Sequence, residues 1–550
     1  MTRTDDAPTV RHLRQVLLWP VRLMRPDQRG PDTAPPWQVL QAMGEDASPW
    51  REVVDEYGGG GGRFQERHYN EFVSFLPYVQ RFLYGEGRTG ARAEHGADSP
   101  MRVFRRSDIA ALRVVARAGA APVTLQVAHI DLYFFYDVDV VILNVEVGAD
   151  NLTLAQVHDQ LYRFGRAYPG GWKPDGAALH SMHSVEWLDA QGAVLAASDA
   201  QQREVFLAHV SEHRAPRVAS HWDYVMQPLV SDHSGASGQL RYRQIEYHRM
   251  PMMAYLAVDG PERLSRAEFV RLGLVTGPGG AEGDLPFAEQ HLDGFEQRYC
   301  YDRFWAPGGA APYTRYLCSG HALVVVGDAR SEFFRCPLRG VLAQFRHQHF
   351  LLFVIAHFQK AALLMFSAQL VEALQHLDIR DVQSVKGFKR SIRAAFERFL
   401  RFTHRYWFHQ ISDQAQVRAL WALCAQHLDT DALYHEVRDR IADMNDYLET
   451  DSLRRQANTV MRLTVVTLFG LIGSVTTGFL GMNLLDEAGA PWWRKLAMFA
   501  AVGVFFTLLT FYTLVKSQRL SDFIDALSDR RQTWRGKLAA LGRVWRAGAD

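Results

Sequence analysis

Residues 463 to 483 read LTVVTLFGLIGSVTTGFLGMN, and residues 496 to 515 read LAMFAAVGVFFTLLTFYTLV. The second segment has twenty consecutive residues without a charge. As a helix it is about 30 Å long, the thickness of the hydrocarbon core of a bilayer. The first segment has several hydroxyl residues but no ionisable group, and such hydroxyls can bond within their own helix. The sequence therefore predicts two C-terminal membrane-spanning helices joined by a short connection.

Basic residues flank this pair of segments. Three arginines lie between 454 and 462, and eight Lys or Arg residues lie between 516 and 546. Because Lys and Arg accumulate on the cytoplasmic side of membranes, both termini are predicted to be cytoplasmic, in an inner or plasma membrane. Trp492 and Trp493 fit the aromatic belt of the outer interface.

The composition of the whole chain resembles that of a soluble protein. The mean hydropathy is −0.17, 22% of the residues are charged and the formal net charge is +1. The near-neutral balance gives no reason to expect nucleic acid as a partner. The four cysteines lack CxxC spacing, which favours reduced structural thiols.

Proline and glycine divide the chain, because they are the strongest breakers of helices. Of the 22 prolines, 21 fall at or before Pro337, and Gly387 is the only glycine between Gly340 and Gly470. The stretch after Pro337 is therefore predicted to be almost entirely helical. The expected helices cover roughly 338–376, 391–409, 413–428 and a stalk from 430 that runs into the first span. That last helix would be on the order of 75 Å long.

Before Pro337 the pattern is mixed. Strand-like runs rich in valine and aromatic residues alternate with helical patterns at 154–166 and 266–272. The strand-like runs are 112–116, 123–130, 133–147, 239–247, 252–258 and 313–326.

Five regions follow from these patterns. An N-terminal extension with flexible Pro/Gly-rich stretches is expected over 1–100 and an α/β cytoplasmic domain over 101–337. A helical region with the stalk is expected over 338–462, two transmembrane helices over 463–515 and a basic cytoplasmic tail over 516–550. The apolar run 350–366 contains His357, Gln359 and Lys360, which favours a buried helix over a membrane span.

Enzymatic chemistry is not indicated. No GxSxG, HExxH or complete Walker A pattern occurs, and the glycine run 58–62 is not followed by Lys-Ser or Lys-Thr. Asp137 and Asp139 share one face of an expected strand, where they could bind a metal or lie at a solvated strand end. The histidine pairs 347/349 and 427/435 lack zinc-ligand spacing.

Gly481-Met482-Asn483 lies at the outer end of the first of two C-terminal spans, after a long charged helix. Together with the sequence NTVMRLTVV at 458–466 and with Gly478, this arrangement resembles the signature of CorA-type divalent-cation transporters and channels. The resemblance covers 457–515 and extends by architecture to about 338. Leu480 replaces a common aromatic residue, the first span has no proline, and the soluble region is long. These departures indicate a divergent member with an enlarged N-terminal region.

The resemblance implies a CorA-like homopentamer whose first transmembrane helix lines a pore. It implies transport of hydrated divalent cations, with Mg²⁺ as the expected ion, and Gly481, Met482 and Asn483 as the selectivity site. No cofactor is expected, and the cation is the substrate and a candidate regulator. The expected partners are other copies of the chain and membrane lipid. A Zn²⁺ or Co²⁺/Ni²⁺ transporter of this family and a membrane-anchored oligomeric sensor without transport are the alternatives.

Helical geometry places a set of small, weakly polar or aliphatic residues in one narrow sector of the first span, at about 100° per residue. This stripe consists of Leu463, Thr467, Leu471, Ser474, Gly478 and Gly481. It fits either a pore lining or a close helix-packing seam. The resemblance favours the pore, with Leu463 and Leu471 as constrictions and Ser474 as a polar ring.

Asn483 would point about 200° away from this sector if the helix continued. The helix is therefore expected to end at Gly481, so that the Asn483 amide can hold a metal through its hydration shell, as suits Mg²⁺. Zn²⁺ and Ni²⁺ prefer imidazole or thiolate ligands, which the first span lacks.

Two acidic groups are further candidates. Asp486 and Glu487 form either an outer acidic collar that attracts cations or an ordinary solvated loop. On the stalk, Asp439, Asp443, Asp446 and Glu449 form either a cytoplasmic cation site of the kind the family has at subunit interfaces or a charged helix face.

Overall fold

The computed structural model describes residues 8–24, 34–53, 66–85, 100–246, 249–277, 279, 285–375, 377–378, 382–481, 489 and 491–515. The chain divides into two compact units, Met1–Asp443 and Met444–Asp550. The predicted α/β N-terminal region is confirmed, since the first unit contains a mixed sheet and helices.

One sheet holds all of the described strands. They are β1 (Thr9–Met24), β2 (Trp50–Glu52), β3 (Met101–Arg106), β4 (Ala111–Val115), β5 (Val123–Phe135), β6 (Val140–Thr153), β7 (Ser184–Leu188), β8 (Val194–Ala197), β9 (Val230–Ser231), β10 (Arg241–Gln244), β11 (Met252–Val258), β12 (Cys300–Phe304), β13 (Thr314–Cys318) and β14 (Ala322–Asp328). The main path runs β12-β13-β14-β11-β1-β6-β5-β4-β7-β8. Strand β10 pairs with β1 and β9, and β3 pairs with β2 and β5. The β11–β14 and β9–β10 pairs are parallel and the other pairs are antiparallel.

The described α-helices are α1 (Pro36–Ala42), α2 (Gly44–Ala47), α3 (Glu66–Phe72), α4 (Pro77–Tyr84), α5 (Leu154–Arg163), α6 (Arg203–His213), α7 (Ser220–Met226), α8 (Arg266–Leu274), α9 (Glu289–Leu292), α10 (Phe295–Tyr299), α11 (Glu332–Arg335), α12 (Val341–Gln344), α13 (Phe350–Gln375), α14 (Val382–Tyr406), α15 (Ala415–Leu428), α16 (Thr430–Gly481) and α17 (Trp492–Val515). A 3₁₀ turn (Pro261–Arg263) and a π-helical turn (Phe345–His349) complete them.

The central strand of the sheet is β1, which the sequence patterns did not predict. It pairs with β6 along almost its whole length, and its other edge pairs first with β11 and then with β10. Pro20 has no N–H to donate, and it lies between the last β11 partner, Leu17, and the first β10 partner, Val21. A proline is therefore tolerated in the middle of the sheet because no ladder hydrogen bond is needed there.

Alternate residues of β1 face different helices. Gln15 is fully buried and accepts a 2.9 Å hydrogen bond from Gln160 of α5. Arg22, of the opposite parity, donates two 2.9 Å hydrogen bonds to Glu372 of α13. Since successive side chains of a strand point to opposite faces, α5 and α13 cover the two sides of the sheet.

The helices predicted after Pro337 are present, with α14 beginning earlier than expected. Helix α13 is the buried one: Phe358 is fully buried and stacks on Phe135 of β5 at a centroid distance of 3.9 Å. Helix α14 packs on α13 through residues spaced by three and four, namely Phe388, Ile392, Ala395, Phe399, Phe402 and Tyr406. The prediction of a buried helix over 350–366 is confirmed.

Two of the predicted strands are longer than the strands in the structure. The run 133–147 is interrupted by a turn in which Asp137 has a φ of 62°, and the run 313–326 turns at Gly320, with a φ of 73°. A left-handed backbone conformation cannot continue a strand, so each run is split into two parts of a hairpin.

Two described helices are long and apolar enough to cross a membrane by length and composition. One is Val341–Gln375, whose most apolar window is 78% buried inside the protein. The other is Trp492–Tyr512, whose window is not buried at all. A shorter apolar stretch, Gly470–Gly481, ends α16.

Candidate functional site

The stripe on α16 is exposed over its whole length. Leu463 is 64% exposed and Leu471 is 58% exposed, and the other four residues of the stripe are also exposed. The Thr467 hydroxyl donates to the carbonyl oxygen of Leu463 at 2.9 Å, so its proton is used within the helix. The described part of the second unit leaves this face without an intrachain cover.

The opposite face of the same helix is covered. Ile472 is half-buried and Thr476 is 2% exposed, and helical geometry places both residues opposite the stripe. Phe479 contacts Phe506 of α17 edge to face at 6.3 Å. Helix α17 therefore packs on one side of α16 and leaves the stripe free.

The selectivity residues are only partly described. Gly481 is the last residue of α16 and is exposed, and a Cβ added there would meet no atom within 4 Å. Met482, Asn483, Asp486 and Glu487 lie outside the described residues. Their predicted roles stay predictions.

Three of the acidic stalk residues, Asp439, Asp443 and Asp446, are exposed along one face of α16. Asp439 is ion-paired with Arg438 at 3.0 Å, and Asp443 and Asp446 are exposed. Glu449 belongs to the same helix. Among the residues that the structure describes, no group of three or more His, Cys, Asp or Glu side chains could hold a metal ion.

Asp137 and Asp139 lie in the β5–β6 turn region and are held by the basic helix α14. Asp137 accepts from Arg401 at 3.2 Å and from Arg405 at 2.9 Å, and Asp139 accepts from Arg398 at 2.8 Å. These carboxylates are neutralised by arginines, which excludes them as a preformed metal site.

His347, His349 and His427 contact other parts of the fold, whereas His435 is exposed. His347 pairs with Glu71 at 2.9 Å, His349 packs edge to face on Tyr316, and His427 Nε2 lies 2.7 Å from the carbonyl oxygen of Arg298. Burial lowers the pKa of His349 to about 4, which keeps this imidazole neutral.

The four cysteines are free thiols. Cys318 on β13 and Cys424 on α15 are buried, and their sulfur atoms are 3.4 Å apart. A hydrogen bond from Cys424 lowers the pKa of Cys318, and the same contact, with burial, raises that of Cys424. The two thiols link the sheet to the helix before α16.

Two open clefts among the described residues of the first unit were not indicated by sequence patterns. One, of about 1110 Å³, is bordered by Arg106, Asp108 and Tyr224. Burial would raise the pKa of Asp108, but the hydrogen bonds and charge of Arg106 outweigh it and lower the pKa. Arg106 also donates to the backbone carbonyl oxygens of Tyr224 and Val225, so its guanidinium stabilises this side of the cleft. The other cleft, of about 850 Å³, is bordered by Arg81 and Arg405.

Helix α14 has a charge pattern that the sequence analysis did not single out. It has seven Lys or Arg residues and one carboxylate, Glu397. Its apolar residues recur at spacings of three and four, so the basic residues on the other face could have been recognised as an exposed stripe.

Comparison of the chain with protein-family models, with curated proteins and with solved structures finds no match.

Proposed function

We propose that the chain is a CorA-type membrane transporter that passes hydrated divalent cations, with Mg²⁺ as the substrate. Several copies, five by resemblance, would surround one axis with the α16 stripe towards it. Gly481, Met482 and Asn483 would form the selectivity site at the outer end, with the N- and C-termini in the cytoplasm.

One observation supports this proposal above the others. The stripe that helical geometry selects is uncovered, while the opposite face of α16 packs on α17. A lone two-helix hairpin would leave Thr467 and Ser474 towards lipid, whereas a ring of copies would bring them together around water.

A pair of glycines on the same helix offers a matched test of the stripe. Gly478 lies in the stripe, whereas Gly473 lies about 120° from its centre, and a Cβ added at either would meet no atom within 4 Å. We expect Gly478→Phe to block cation uptake into liposomes and Gly473→Phe to leave it unchanged. The oligomeric state is measured in parallel by native mass spectrometry. Equal uptake by both variants would contradict the pore.

The packing-seam alternative has its own outcome in this experiment. If Gly478→Phe dissociates the oligomer, the stripe is a helix–helix contact rather than a channel lining. A normal oligomer that conducts no ion, even in the unmodified chain, would favour the membrane-anchored sensor.

The selectivity site is tested at Asn483. We expect Asn483→Ala to abolish Mg²⁺ uptake while assembly remains intact, because the amide would hold the hydrated ion. Uptake measured with Mg²⁺, Zn²⁺, Co²⁺ and Ni²⁺ in turn separates the magnesium proposal from its same-family alternatives. Normal uptake by Asn483→Ala would sink the assignment of the site.

A further inference from the structure

Exposed aliphatic residues occur near the end of α13, and exposed basic residues occur in the first half of α14. Within α14, Lys386, Arg390 and Arg393 are exposed and lie on one face, opposite the buried apolar residues. At the facing end of α13, Val371 and Leu374 are each 46% exposed. These five residues are called the hairpin tip below.

The basic residues of the hairpin tip differ from those at the other end of α14. Arg398, Arg401 and Arg405 are paired with Asp137 and Asp139. The three basic residues of the tip make no ion pair among the described residues, although Asp378 lies nearby in sequence. Glu397 is the one described carboxylate of α14. The tip is therefore a positively charged surface whose charge the rest of the described fold does not neutralise.

Ion pairs fix the end of α13 to the sheet. Glu372 of α13 pairs with Arg22 at 2.9 Å and with Arg243 at 3.1 Å, which fixes this part of α13 to β1 and β10. Val371 lies beside this anchor and Leu374 lies beyond it, so their exposure is a feature of an anchored helix end.

We infer that the hairpin tip binds the headgroup surface of a membrane containing anionic phospholipids. Basic residues attract anionic headgroups, and exposed aliphatic side chains add the second contribution that peripheral membrane binding needs. The chain itself contains α17, which is long and apolar enough to lie in a membrane. This inference goes beyond ion transport and does not depend on it.

Nucleic acid fits this surface less well. Single-stranded nucleic acid is bound by basic grooves with exposed aromatic rings on which bases stack. Of the aromatic residues of α14, Phe388, Phe399, Phe402 and Tyr406 are buried and Phe396 is half-buried, so none is fully exposed for stacking. The exposed non-basic groups at the tip are aliphatic, which suits a lipid interface.

The test uses the full chain in phosphatidylcholine nanodiscs, mixed with liposomes of phosphatidylcholine alone or with added phosphatidylglycerol. Co-flotation measures binding, and hydrogen exchange of residues 382 to 393 locates it. We expect binding and slower exchange only with phosphatidylglycerol, and weaker binding as salt is raised. Equal binding to both kinds of liposome would overturn the inference.

Charge reversal supplies the matched control. The triple variant Lys386→Glu, Arg390→Glu and Arg393→Glu should bind on the order of 100-fold more weakly, at about fivefold for each basic residue. The triple variant Lys173→Glu, Arg203→Glu and Arg303→Glu changes the net charge equally at exposed sites elsewhere in the first unit and should bind normally. An equal loss of liposome binding in both triple variants would show that net charge alone attracts the protein to the membrane. That result would overturn the hairpin tip as the binding site.

Two further outcomes are decisive. The variant Val371→Ser with Leu374→Ser should bind more weakly at unchanged charge, and unaltered binding would remove the aliphatic part of the inference. Slowed exchange of residues 382 to 393 with RNA or inorganic polyphosphate, equal to that with phosphatidylglycerol, would replace lipid by another polyanion.

Discussion

Helices α13 and α17 have the same hydropathy and opposite surroundings. The most apolar windows of Val341–Gln375, which includes α13, and of Trp492–Tyr512 in α17 both have a mean hydropathy of 1.7, yet the first is 78% buried and the second is not buried at all. Hydropathy alone therefore cannot distinguish the core helix of a large α/β unit from a helix suited to lipid. Both are long enough to cross a bilayer, so length does not separate them either.

The polar residues of the two helices make the distinction. In α13, Gln359 donates to the carbonyl oxygen of Tyr406 at 2.8 Å, and Lys360 pairs with Glu246 at 3.3 Å. In α17, Thr507 and Thr510 donate to carbonyl oxygens of their own helix at 2.7 Å. A lipid-facing helix must satisfy its polar groups internally, whereas a core helix can use distant partners. The partner, rather than the hydrophobicity, indicates the environment.

The largest expected difference between the two helices is in core packing. Phe358→Ala in α13 should lower the free energy of unfolding of the first unit by about 3–5 kcal/mol, because it removes a fully buried ring. Phe505→Ala in α17, where the ring is 62% exposed, should change that quantity by less than about 0.5 kcal/mol. Urea unfolding of the full chain in detergent measures both. Equal losses would mean that α17 belongs to the folded core of the first unit.

An added arginine should affect α17 more than α13, which reverses the order expected for the loss of a phenylalanine. Leu508→Arg places a charge at an exposed position of α17, which costs about 2.5–3.5 kcal/mol if that position lies in lipid. Ala368→Arg in α13 places the same charge at a water-exposed position outside the hairpin tip. A glycosylation reporter fused after α17 should therefore show lost insertion for Leu508→Arg alone. Undiminished insertion would argue against α17 as a membrane span.

Buried hydrogen bonds should give a smaller contrast. Gln359→Leu leaves the carbonyl oxygen of Tyr406, at the end of α14, without its donor, and should cost the first unit about 1–3 kcal/mol. Thr507→Val in α17 removes a hydroxyl whose acceptor already belongs to the same helix, so it should be nearly neutral. The same urea experiment measures both variants. An unchanged free energy of unfolding for Gln359→Leu would mean that the hydrogen bond to the Tyr406 carbonyl oxygen does not stabilise the first unit.

Much of the architecture was predictable because local patterns carried it. Breaker-free sequence after Pro337 indicated α13 to α16, and valine-rich runs indicated β4, β11 and β14. Strand β1 was missed because Arg11, Arg14 and Pro20 hide its pattern. Asp259 pairs with Arg11, while Glu146 lies 3.6 Å from Arg14. Strand β1 is stabilised by residues more than 100 positions away in the chain, so its local sequence does not reveal it.

The candidate site was predictable to a different extent. The α16 stripe follows from helical periodicity alone, and its role stays a prediction, because residues outside the sector such as Gly473 and Thr477 are also exposed. Asp137 and Asp139 were expected to share one face of a strand, which is wrong, because both lie in the turn between β5 and β6. Their arginine partners come from α14, over 250 residues later, so no local pattern predicts these pairs. The clefts likewise combine distant segments, so no sequence motif marks them.

The last contrast concerns pH. Burial lowers the pKa of His357 in α13 to about 3, and an unfolded chain has a histidine pKa near 6.5. Between these values the unfolded state binds more protons, so the stability that His357 contributes is complete above about pH 6.5 and is lost as the pH falls towards about 3. Residues 496 to 512 of α17 have no titratable side chain apart from Tyr512, so acid should leave that helix unchanged.

We therefore expect His357→Gln to flatten the acid branch of the stability curve of the first unit. The slope contributed by one histidine in this window is about 1.4 kcal/mol per pH unit. Urea midpoints of the unmodified chain and of the variant, measured from pH 7 down to pH 5, give the difference. His435→Gln is the matched control, because His435 is an exposed histidine of the first unit. Parallel curves for the unmodified chain and His357→Gln would mean that water reaches the His357 imidazole. Helix α13 would then be more exposed to solvent than the structure shows.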